Sequence, residues 1–286
     1  GWLANLALSP IMYPMGSDLT IKVRRLGALR WGAILALGLL LVGWLLNTPG
    51  GLLGKADAVA YAVCHRIDLR SYYLGERQLP LCARCTGMYL GATTGLLYQH
   101  ALARRRGGAP RRLVIAILSL LVLFFIVDGL NSFLSFFPGA PLIYPPRNEL
   151  RLLAGSGMGI AIAAALFPAF NQTVWADWEP RPALSRARSL AFLALLIALL
   201  DGLVITENPL LLYPLALISA SGVLLVLTLA YTMVWVMLLR LENTFLHARQ
   251  LFFPLLGGFG LALMQVILLD VARYLLTGTW EGFHLG

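Results

Sequence analysis

Charge is scarce in this chain. Only 12% of its residues are Asp, Glu, Lys or Arg, against about a quarter in soluble domains, and no polar stretch is long enough to form a soluble domain between the apolar ones. What stands in place of charge is apolar surface: 59% of residues are hydrophobic and the mean hydropathy is +0.79. The chain therefore reads as an all-α integral membrane protein, a polytopic transmembrane helical bundle. A spanning helix needs roughly 20 apolar residues, and about seven segments qualify, at 28–46, 81–99, 113–137, 150–170, 189–206, 211–238 and 251–276.

A small-residue cleavage site is missing as well. The first apolar run follows Lys22, Arg24, Arg25 and Arg30 and is long, so it reads as a spanning helix and not as a removable signal peptide. Residues 1–27 are expected to form an interfacial segment lying on the bilayer, and 28–286 a single integral membrane domain.

Acidic residues are outnumbered, 13 to 22, which leaves a net charge of +9. Such a balance can serve nucleic acid, but the arginines sit in short loops between apolar runs, so bilayer topology accounts for them and no nucleic acid partner is expected. With the N-terminus inside, 14 of the 22 basic residues fall on the cytoplasmic side. The expected location is the cell membrane, multi-pass.

Cysteine and histidine are rare too. There are three cysteines and four histidines, yet Cys64, His65, Cys82 and Cys85 fall in the single stretch YAVCHRIDLRSYYLGERQLPLCARCTGMYLG, which the arginine bias places on the outer side. Pro80 suits a first helical turn, so the second spanning helix is expected to begin there, with Cys82 and Cys85 one turn apart. The run ADAVAYAV ending at Cys64-His65 is too short to span and reads as an interfacial or re-entrant segment folding over that helix. Three thiolates and an imidazole would close a tetrahedral zinc shell, or leave a metal position open if His65 stands outside it. Two alternatives use the same residues: a redox or structural disulfide between Cys82 and Cys85, and plain buried cysteines. A c-type haem is excluded, because Thr86 stands where its attachment needs histidine. On the opposite face of the helix, Gly87, Gly91 and Gly95 form a close-packing stripe, open to a neighbouring helix or to other membrane subunits.

These residues resemble the predicted membrane proteins grouped as domain of unknown function 2085. The likeness rests on Cys64, His65 and Arg66, on Cys82, Arg84, Cys85, Thr86 and Gly87, and further along on Asp128, Gly129, Asn148, Arg151 and Gly155. It covers about 58–165 and implies a site without implying an activity.

Ionisable groups within spanning helices face a partner or a cavity. Asp128 lies about 13 Å below the outer end of its helix at 1.5 Å per residue, with Asn131 on the same face, and Arg84 and Arg151 begin their helices on that side. His65, Arg84, Asp128, Asn148 and Arg151 are therefore the candidate catalytic or binding residues. The plainer alternative is that Asp128 and Asp201 pair with Arg84 and Arg151 to fix the bundle. Asp270 and Arg273 are expected to form a local i, i+3 ion pair, His100, His247 and His284 to be interfacial or solvated, and Trp175, Trp178 and Trp235 to anchor at the membrane surface. The order Asp-Gly-Leu, Tyr-Pro, Ser-Gly recurs, so 113–170 and 189–238 read either as a degenerate duplicated hairpin or as chance likeness between leucine-rich helices.

The functional expectation is a membrane protein with an outward Cys/His metal site, most simply zinc, beside a polar cavity for a small or lipid-like anionic substrate. A non-catalytic accessory subunit of a respiratory or photosynthetic type of complex, with structural or redox cysteines, is the alternative, and a transporter is third.

Overall fold

The computed structural model describes residues 17–282, with side chains from Trp31 onward. The expected interfacial segment falls partly outside them: residues 1–16 are not described, and 17–27 belong to helix α1, Ser17–Asn47. By contact the chain divides into Gly1–Val42 and Gly43–Gly286, and the second of these units holds every element from Gly51 onward. His284 lies outside the described residues.

After Pro49-Gly50 comes the short helix α2, Gly51–Val63. A non-helical cap follows, made of a 3-10 turn at Asp68–Arg70 and a hairpin of β1, Tyr73–Leu74, with β2, Arg77–Gln78. Gly75 turns that hairpin at φ +66, a conformation glycine adopts without steric cost. Then come α3, Ala83–Ala103, and α4, Arg112–Leu134, with the short strand β3, Arg106–Gly108, between them. α5, Asn148–Val174, leads to β4, Glu179–Pro182, which pairs in parallel with β3. The helices α6, Ala187–Ile205, α7, Pro209–Leu238, and α8, Phe252–Thr277, complete the bundle.

Among the described residues, five helices are long and apolar enough to cross a membrane, α4 to α8, or six if the broken pair 31–47 and 51–63 counts as one span. The expected seven also included α3. That helix is 21 residues long, enough for about 30 Å, but as far as Leu96 it is packed mainly against α5 and α7 and carries Gly, Ala and Thr at its buried positions, while Leu97 and Leu102 near its end are exposed. A helix face packed against protein has no need of lipid-facing side chains.

α4 shows the reverse arrangement. Its buried residues are Val114, Asp128, Asn131 and Ser132, so its apolar majority faces outward, and Asp128, Asn131 and Ser132 face in. That is the burial pattern lipid imposes, since polar groups in hydrocarbon must find partners inside the protein.

The bundle is centred on the α3–α5 crossing, its most extensive helix contact. Here the glycine stripe is used, and not by another subunit. A Cβ on Gly87 would strike the Leu152 carbonyl, one on Gly91 would come within 2.7 Å of the Ser156 carbonyl, and one on Gly95 within 2.6 Å of Ala163. Gly155 and Gly159 of α5 answer from the other side, against the carbonyls of Arg84 and Met88. The expectation of a face open to partner subunits is thus corrected: α5 of the same chain covers it.

Two pairing expectations also change. Among the described residues Asp201 takes no arginine. Its Oδ1 accepts from Ser156 Oγ at 2.8 Å, and its other oxygen has no partner among the described residues. Asp270 accepts from the Trp44 indole at 3.3 Å, while Arg273 donates to the carbonyls of Tyr61 and Cys64, at 2.7 and 2.5 Å. One turn of helix brings two such side chains near each other, but the exposed C-terminal carbonyls of α2 are strong acceptors for a cation, and Arg273 serves them.

The two Asp-Gly hairpins differ in their connections and in their partners. α4 and α5 are joined by residues 135–147 and α6 and α7 by 206–208, where the Asn208 side chain caps α7 by accepting from the Leu210 N–H.

Candidate functional site

α3 starts at Ala83, with Cys82 as its N-cap, and not at Pro80. Pro80 lies in the bend that leads into the helix, and Cys82 itself is extended. The shift makes Cys82 the cap and Cys85 the third helical residue, a spacing at which a cap side chain stands over the first turn. Cys64 follows the last turn of α2, and the Cys82 N–H donates to its sulfur at 3.4 Å. All three sulfurs lie within 4.8 Å of one another and are free thiols. Cys64 and Cys82 are buried and Cys85 is half-buried. Hydrogen bonds from the Cys82 and Cys85 thiols hold the Cys64 thiol well below its ordinary range, against the opposing effect of burial.

His65 stands apart from this trio. Its Nδ1 accepts from the Ile67 N–H at 3.2 Å, which leaves the ring proton on Nε2 in the neutral form, and burial lowers its pKa. The next residue, Arg66, turns the chain at φ 51, the left-handed region that costs a residue with a side chain about 1–2 kcal/mol. Ion pairs hold the turn in place: Asp57 of α2 pairs with Arg66 at 3.1 Å and with Arg77 of β2 at 2.5 Å. A cleft of about 540 Å³ between the end of α2 and the last turns of α8 is lined by Cys64, His65, Leu269 and Arg273, among others.

Deeper in, a second polar group is built by the α3–α5 crossing. Because the glycines let the two backbones touch beside Arg84, Arg84 and Arg151 meet the inward face of α4 at one level. Arg84 donates through Nε at 3.1 Å, and through Nη2, to Asp128 Oδ2, so the expected cationic partner of Asp128 is Arg84. The other carboxylate oxygen accepts from the Tyr144 hydroxyl at 2.9 Å. Asn131 positions that tyrosine, donating to the Tyr144 carbonyl and accepting from the Ile143 N–H. Arg151 donates to Asn148 Oδ1 at 2.7 Å, and Asn148 reaches the Ser71 carbonyl of the cap at 3.3 Å.

Three participants were not foreseen. Ser132 lies at the centre, Arg70 reaches its carbonyl at 2.6 Å from the 3-10 turn, and Tyr144 comes from the α4–α5 loop. Arg70 also stacks on Phe136, with its guanidinium carbon 3.8 Å from the ring centre. Burial, followed by the neighbouring charges of Arg151 and Arg84, pushes Arg70 down to about 10. Nothing in the local sequence marks these three residues. A serine on an apolar helix and an arginine in a loop acquire meaning only from what the fold brings against them.

At the other end of the bundle Trp175 bonds Asn171 and lies under Arg105, while Trp235 packs on Gly257.

The residues that build both polar groups fall almost entirely in one stretch, and comparison with known proteins marks the same stretch. Residues 64–165 match the family model described as "Predicted membrane protein (DUF2085)". An uncharacterised protein of Methanothermobacter thermautotrophicus is 31% identical over 101 residues, 35% of this chain and 81% of that protein. A second, from Methanocaldococcus jannaschii, is 24% identical over 125 residues, 43% of this chain and 72% of the relative. No solved structure matches. The match begins on Cys64 itself and ends within α5, so it takes in the thiols, the three arginines, Asp128 and Ser132, and leaves out α6 to α8. This chain is an integral, multi-pass membrane protein and belongs to the family of predicted membrane proteins called domain of unknown function 2085.

Proposed function

We propose that Cys64, Cys82 and Cys85 hold a zinc ion, and that the resulting centre, with the polar group of Arg84, Asp128, Asn148 and Arg151 beneath it, handles a small or lipid-like anionic substrate. The observation that carries this reading is the convergence of every thiol in the chain within 4.8 Å. Zinc–sulfur bonds of about 2.3 Å in a tetrahedron put sulfurs roughly 3.8 Å apart, so the three need close by no more than about 1 Å. Three protein ligands are the number found where zinc keeps a position for water or substrate. His65 supports an open fourth position, because its Nδ1 is engaged and its Nε2 carries the proton. It is suited to donating a hydrogen bond to whatever zinc holds.

Purified protein is expected to contain about one zinc and, once denatured and stripped of metal, three free thiols. Cys82→Ser should lower zinc by at least tenfold, and His65→Ala should retain it. A single free thiol without metal would establish a disulfide and remove the centre, and loss of zinc in His65→Ala would make the histidine a ligand.

The thiol end, in this reading, lies outside the cell membrane, on the strength of the arginine bias. A cysteine replacing the exposed Ala109 should then escape a membrane-impermeant maleimide in intact cells and react after permeabilisation. Labelling in intact cells would reverse the orientation.

A further inference from the structure

We propose that Arg70, Arg84 and Arg151, gathered round Ser132, form a binding site for the phosphate group of a phosphate monoester. This deepens the reading above by naming the group its substrate carries, and rests on that reading in setting the group beside the thiols. The three arginines come from separate elements, the cap, the start of α3 and the start of α5, yet all bond one residue. Arg70 Nη2 donates to the Ser132 carbonyl at 2.6 Å, Arg84 Nη2 to Ser132 Oγ at 3.0 Å and Arg151 Nε to the same oxygen at 3.3 Å. Arg70 and Arg151 are 8% and 6% exposed, and the Arg84 side chain 17%.

Such a group is out of balance. Among the described residues the one carboxylate hydrogen-bonded into it is Asp128, so three guanidinium charges face a single negative charge and two are uncompensated. A zinc tris-thiolate, with a net charge of −1, would still leave one over. Gathering like charges away from water is costly unless an anion joins them. The donors are also only partly used. Among the described residues no protein acceptor meets Arg70 Nε and Nη1, Arg84 Nη1 or Arg151 Nη2, and none of these atoms is wholly buried without a partner. Planar guanidinium forks arriving from three directions suit a tetrahedral oxyanion, and a phosphate monoester carries a charge of roughly −1.5 to −2 at neutral pH.

The same chemistry can be presented by soluble phosphate or by a lipid headgroup, and thermal melting separates them. The full-length protein is melted in detergent with added inorganic phosphate, then in nanodiscs of phosphatidylcholine with and without phosphatidic acid. Zinc content is measured on each sample. Stabilisation of the wild type by inorganic phosphate supports a soluble ligand, and stabilisation by phosphatidic acid alone supports a lipid one. In either case Arg70→Gln should weaken the apparent affinity by tenfold or more. Among the described residues Arg70 bonds no carboxylate, so this variant spares the Asp128 pair. Arg151→Lys, which keeps the charge but not the fork, gives a second series with a smaller loss. A wild type stabilised by neither probe overturns the proposal whatever the variants do, as does an Arg70→Gln protein stabilised as much as the wild type. Zinc without phosphate binding removes this site and leaves the metal centre, whereas phosphate binding by a protein that never holds zinc removes the centre and leaves this site.

Discussion

Asp128→Leu alone is expected to destabilise the protein by about 3–5 kcal/mol, the usual cost of removing one partner from a buried ion pair. The aspartate is fully buried and is bonded by Arg84 and by the Tyr144 hydroxyl. Without it, Arg84 stays in the bundle beside Arg70 and Arg151 with no carboxylate among them. At roughly 2–4 °C per kcal/mol for a chain of this size, the melting temperature in detergent should fall by about 10 °C. The paired change Asp128→Leu with Arg84→Met should recover a large part of that loss, because apolar residues of similar volume leave no uncompensated charge. A single variant as stable as the wild type would mean that the pair does not hold α4 to α3.

Gly155→Val should also destabilise the bundle strongly. A Cβ at Gly155 would run into the carbonyl oxygen of Arg84 and come within 3.0 Å of the Met88 N–H nitrogen. Both obstacles are backbone atoms of α3, so no side chain can rotate aside. Overpacking a core commonly costs 1–3 kcal/mol, occasionally more, and here relief requires α3 and α5 to separate. Their crossing also sets Arg84 beside Arg151, so the variant should lose phosphate stabilisation along with melting temperature. Gly129→Ala and Gly202→Ala are the matched controls. Nothing lies within 4 Å of a Cβ at either, both positions are helical, and each should be neutral or gain up to about 1 kcal/mol from helix propensity. Equal losses at Gly155 and Gly129 would show that close approach is not what the α3–α5 glycines provide.

The outer helices were legible because lipid makes a simple demand. Five apolar runs end within four residues of α4 to α8, and the inward positions of Asp128 and Asn131 followed from the cost of polar groups in hydrocarbon. α3 was placed as one more apolar run, at 81–99, with its start read from Pro80, and only its glycines signalled that it packs against a neighbouring helix. What stayed hidden depends on contacts distant in sequence. Arg70 lies 62 residues from Ser132, and the left-handed turn at Arg66 is tied through Asp57 to Arg77 of a hairpin that periodicity cannot reveal. Asp201 resembles Asp128 in local sequence, but the residue opposite it on α5 is Ser156, so a matching Asp-Gly takes a different partner.

The proposed metal centre depends on the thiol trio. The most direct measurement is zinc-edge X-ray absorption on the purified protein. Three sulfur neighbours at about 2.3 Å and one nitrogen or oxygen neighbour at about 2.0–2.1 Å are predicted. A zinc ion ringed only by nitrogen and oxygen, or a folded protein that binds no zinc, would contradict it.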